Sequence, residues 1–79
     1  MQRTLLKTEH VRVGDEAFEV RYFAVQTMRG LRRYSAEIHL GPRDCIILDD
    51  DSASNLEARA MRLVPATVYS RVLARATAA

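Results

Sequence analysis

At 79 residues, with 48% apolar and 28% charged side chains, the chain has room for one small globular domain spanning residues 1–79 and none for a second. Its formal charge of +2 is too small to mark a nucleic-acid binder, the single Cys45 excludes an internal disulfide, and no apolar run approaches the roughly 18 residues of a bilayer span. A lone core of this size supplies only about 3 to 5 kcal/mol, which points to self-association as the remaining source of stability.

The segment Met1-Gln2-Arg3-Thr4-Leu5-Leu6-Lys7 reaches Glu9 and His10 without the apolar stretch of a signal peptide, so a cytoplasmic setting is the expectation. Residues 4–13 mix β-branched and polar types and run into Gly14-Asp15-Glu16-Ala17, the pattern of a strand and a turn. From residue 18 to 28, Phe18, Val20, Tyr22, Ala24 and Met28 alternate with Glu19, Arg21 and Thr27, the period of a half-buried strand. Arg29-Gly30-Leu31-Arg32 reads as a turn. Tyr34, Ala36, Ile38 and Leu40 then alternate with Arg33, Ser35, Glu37 and His39 as a third strand.

Gly41-Pro42-Arg43-Asp44 reverses the chain, because proline sets its own φ and has no ladder donor. The short run Cys45-Ile46-Ile47-Leu48 reads as a fourth strand covered on both faces, with Cys45 as a small core hydrophobe. Four strands on short connections predict an antiparallel meander.

Acids and hydroxyls at Asp49-Asp50-Asp51-Ser52-Ala53-Ser54 suit a helix start near residue 53, with Ser54 and Glu57 at capping-box spacing. Leu56, Ala60, Leu63, Val64, Val68, Val72 and Ala76 form an apolar stripe to lie on the sheet. Pro65 interrupts it, and the expectation is a break or kink at Val64-Pro65, with two short helices preferred and Ala76-Thr77-Ala78-Ala79 as a frayed tail. The class is therefore α+β: a four-stranded antiparallel meander followed by a C-terminal helical segment broken or kinked at Pro65. That order is similar in architecture to small sheet-and-helix modules such as HicB-type antitoxins, a likeness that implies neither activity nor site residues.

Chemistry-bearing residues are sparse. Three adjacent carboxylates at Asp49 to Asp51 lack the alternating acids, glycine and later glutamate of a calcium loop, and read as a solvated helix start. His10, His39 and Cys45 lie on separate strands and share no local motif, so neither a metal site nor a catalytic pair is expected. With no phosphate-cradling loop or nucleophile elbow either, no enzyme and no cofactor are expected.

Two features point to binding. Phe23 and Val25 interrupt the polar face of their strand and, with Val68 and Val72 beyond the proline, are the candidate interface of a homodimer or of a contact with another protein. Eleven of the 12 basic residues are arginine, a composition that base usage in a genome can also produce. Arg29, Arg32 and Arg33 cluster at one turn and are the candidate phosphate contacts of an alternative function in weak RNA or DNA binding.

Overall fold

Alternation of apolar and polar side chains over three consecutive segments commits the chain to a sheet with one wet and one dry face. The computed structural model describes residues 2–77. Strands β1 (Gln2–Val13), β2 (Glu16–Gln26), β3 (Arg32–Gly41) and β4 (Asp44–Asp50) form one antiparallel sheet in the order β1-β2-β3-β4, followed by helix α1 (Ala53–Thr77). The expected α+β meander with a C-terminal helix is present.

The turns follow from their residues. Gly14 (φ 63°) and Gly30 (φ 80°) take the left-handed conformation that glycine adopts without steric cost. In the second turn the Thr27 N–H donates to the Leu31 carbonyl at 2.9 Å, and the Leu31 N–H donates to the Thr27 hydroxyl at 3.2 Å. This turn ends β2 at Gln26, so Met28 is no part of the predicted alternation and is 94% exposed.

The core lies between the sheet and α1. Phe18, Val20, Tyr22 and Ala24 of β2 and Ala36 and Ile38 of β3 are buried there against Leu56, Ala60 and Val64 of the helix. Val11, Val13, Tyr34, Leu40, Ile46 and Leu48 pack around them. These are the apolar positions expected for β2 and β3.

Strand β4 differs from its expected environment. It is an edge strand, and only Ile46 and Leu48 face the helix, whereas Cys45 is exposed and Ile47 is 62% exposed. One helix covers one face only, so a four-residue apolar run cannot be buried on both. Cys45 is accordingly not a core residue; desolvation and the carboxylates of Glu37 and Asp44 hold its thiol above the ordinary value.

The helix start is also built differently from the capping box. Ser52 is the N-cap, accepting at Oγ from the Asn55 N–H at 3.3 Å, while its carbonyl accepts from the Leu56 N–H at 3.0 Å. Asp50 in turn accepts from the Ser52 N–H at 2.9 Å, a bond that holds its carboxyl below the ordinary range. Glu57 is occupied by Lys7 of β1.

In place of two helices, a single helical run passes through Pro65. Leu56, Ala60 and Val64 before the proline and Thr67 after it are all buried, so packing on both sides of residue 65 holds the segment on one course while the ring faces solvent. Ion pairs fasten the same helix: Lys7 with Glu57, Arg59 with Asp50 at 3.1 Å, and Arg71 with Asp44 at 2.8 Å. Lying at the surface, where solvent screens them, they orient the helix more than they stabilise it. At 1.5 Å per residue α1 is roughly 37 Å long against about 23 Å for β4. Its last turns overhang the sheet, and the molecule measures 49 × 21 × 20 Å. The helix continues through Thr77 where a frayed tail was expected; Ala78 and Ala79 of that tail lie outside the described residues.

Candidate protein interface on the open sheet face

The face of the sheet turned away from α1 is built by the complementary set of strand residues. Register places Leu5 opposite Phe23 and Phe23 opposite Ser35, with Arg3 opposite Val25 and Val25 opposite Arg33. Farther along, Arg21 lies opposite Glu37 and Glu37 opposite Ile47. Leu5, Phe23 and Val25 thus adjoin on a face that no helix covers, and Ile47 shares that face beyond Ser35 and Glu37 of β3. Phe23 and Val25, predicted from sequence, are half-buried there, and Leu5 is 53% exposed.

Leu5 reaches this face through a β-bulge. Pairing between β1 and β2 shifts between Leu5 and Lys7, so that Leu6 is the extra residue. Arg3 and Leu5 therefore lie on the open face, while Lys7, Val11 and Val13 lie on the helix side. A strand of constant phase would place all five on one face.

A polar network borders the apolar area. The Arg3 guanidinium stacks 3.7 Å from the centroid of the Phe23 ring and pairs with Glu37. Glu37 also lies 3.1 Å from His39 Nε2, and its side chain is only 16% exposed. The Arg3 bond, then that from His39, hold the Glu37 carboxyl below its ordinary value of 4.5. Because this value is depressed on folding, the network stabilises fully above pH 4.5 and is lost as pH falls through the lower folded value. Acid titration of unfolding is therefore expected to be shallower for Glu37→Gln than for the unmodified chain below that pH. Identical titrations would show that the network carries no coupling to folding.

Nearby, Arg21 Nε donates to Glu19 at 2.7 Å, and His10 lies 3.9 Å from the same carboxylate. Both histidines are thus strand residues beside acids. Among the described residues no group of three or more His, Cys, Asp or Glu is placed to hold a metal ion, and no helix is long and apolar enough to cross a membrane.

The other predicted residues lie elsewhere. Val68 is half-buried and Val72 is 50% exposed where α1 leaves the sheet. There they line, with Phe18, Leu40 and the Arg71–Asp44 pair, a groove of about 470 Å³. This groove is not continuous with Phe23 and Val25, which occupy the opposite side of the sheet.

Arg29, Arg32 and Arg33 are all exposed at the β2–β3 turn. Arg33 opposes Val25 and Arg32 opposes Gln26, so these neighbours project from opposite faces. Strand pairing also brings the acidic end of β4 close, with Asp50 opposite Tyr34 and Asp49 opposite Ser35.

Sequence reasoning missed Arg3, Leu5, Glu37 and Ile47. For Ile47 the signal was available in the alternation Ile46-Ile47-Leu48, had β4 been taken as an edge strand. For Arg3 and Leu5 the bulge conceals the phase. No family model, no curated protein and no solved structure matches this chain.

Proposed function

We propose that the chain is a non-enzymatic assembly module that pairs with a second copy of itself through the open face of its sheet. One observation carries this reading: Leu5, Phe23, Val25 and Ile47 share a face that the single helix leaves uncovered. A sandwich of two such sheets would bury it at the usual spacing of about 10 Å. Charge supports pairing of like with like, since Arg3, Arg21 and Arg33 share the face with Glu19, Glu37 and Asp49. A two-fold arrangement can then set opposite signs together. The modest core adds a reason, because association supplies what a domain of this size lacks.

In this reading Pro65 bends α1 slightly, and Val68 and Val72 belong to a separate contact along the helix beyond it. The setting is cytoplasmic, where an exposed thiol such as Cys45 stays reduced. Nucleic-acid binding through Arg29, Arg32 and Arg33 has less support, since two of the three arginines diverge and carboxylates flank them.

Sedimentation at micromolar concentration tests the dimer. The unmodified chain is expected to sediment as a dimer and Phe23→Glu as a folded monomer, because two buried carboxylates would face apolar surface. A strict monomer for the unmodified chain would overturn the reading.

A further inference from the structure

The helix has a second apolar side. Leu56, Ala60, Val64 and Thr67 follow at steps of four, four and three and are buried on the sheet. Met61, Pro65, Tyr69, Val72 and Ala76 repeat the steps four, four, three and four. At 100° per residue their centre lies roughly 140° around the helix from the buried row. Met61 is 48%, Tyr69 66% and Val72 50% exposed, and Pro65 and Ala76 are exposed as well. A surface helix ordinarily has one apolar stripe and a polar remainder; one that is apolar on opposite sides belongs between two partners.

The charges beside this outer stripe have one sign. After Glu57 the helix has no acid, and its charged residues are Arg59, Arg62, Arg71 and Arg75. Arg59 and Arg71 are taken up by Asp50 and Asp44 of the sheet. Arg62 and Arg75 flank the stripe and pair with no carboxylate among the described residues; Arg75 donates only to the Arg71 carbonyl, at 3.4 Å. A second copy of α1 laid on this surface in either direction would bring four more arginines against the single Glu57, which Lys7 already holds, and so concentrate like charge.

We propose that the outer face of α1 docks an acidic amphipathic helix of another protein, its apolar ridge seated along Met61, Pro65, Tyr69 and Val72 and its Asp or Glu flanks meeting Arg62 and Arg75. This surface is on the opposite side of the molecule from the open sheet face, so the two contacts can form together and be tested apart.

The test uses two fluorescein-labelled synthetic helices of about 20 residues, long enough to be helical, with a leucine ridge flanked either by glutamates or by lysines. Their anisotropy is followed against the full chain. The glutamate peptide is expected to bind and the lysine peptide not. Tyr69→Lys should weaken binding about tenfold or more, as loss of a central aromatic anchor does. The double variant Arg62→Glu, Arg75→Glu should reverse the preference, and Phe23→Glu should leave it unchanged. Circular dichroism confirms that each variant is folded. The proposal is overturned if neither peptide binds, if both bind equally, or if Tyr69→Lys, rather than Phe23→Glu, converts a dimer into a monomer.

Discussion

Ile38→Ala is expected to leave the domain largely unfolded at room temperature. Ile38 has no solvent exposure, sits in an inner strand of the sheet, and lies opposite Val20 on one side and Ile46 on the other. Truncating a buried isoleucine costs about 2 to 5 kcal/mol, the lost transfer energy plus the cavity that remains. The site cannot collapse readily, because β2 and β4 hold β3 on both edges and Leu56, Ala60 and Val64 press on it from above. With a net stability of about 3 to 5 kcal/mol, the loss is comparable to the whole. Met28→Ala supplies the internal control: truncation of a turn side chain 94% exposed should shift the urea midpoint only slightly. If both variants unfold at the same urea concentration as the unmodified chain, the placement of the core is wrong.

The opposite sign is expected at Pro65. Within a helix, proline removes one hydrogen bond, here the N–H that would meet the Met61 carbonyl, and its ring crowds that carbonyl, for a cost of about 3 kcal/mol. Alanine restores the bond and has the best helix propensity, while the unfolded chain regains about 0.4 to 1 kcal/mol of conformational entropy. Pro65→Ala should therefore stabilise the domain by about 2 kcal/mol, which at this size raises Tm by roughly 10 °C. The exposed position of the ring means that no core contact is lost. An unchanged or lowered Tm in calorimetry would show that a bend at this proline is needed to seat Val64 and Thr67 together. Pro65 would then be a packing residue. The same variant alters the middle of the outer stripe, so its Tm and its peptide affinity are informative side by side.

Much of this architecture was legible in the residues themselves. Alternation at Phe18, Val20, Tyr22 and at Ala36, Ile38 depends only on neighbours two positions apart, so it identifies strands and their core faces without knowledge of the fold. Gly14, Gly30 and Pro42 mark turns for equally local reasons, and the Asp-Ser run before Leu56 signals a helix start whichever serine caps it. Phe23 and Val25 were recognisable because they break the polar phase of an otherwise regular strand. The remainder depended on partners distant in sequence. The bulge at Leu6 exists only against β2, and it alone carries Arg3 and Leu5 to the open face, where Arg3 meets a glutamate 34 residues away. Whether Ile47 is covered depends on how many layers the chain builds, and one helix makes one layer. Helix propensity argues for a stop at Pro65, but burial of Val64 and Thr67 on the same sheet outweighs one lost hydrogen bond, a comparison that only packed surfaces can decide.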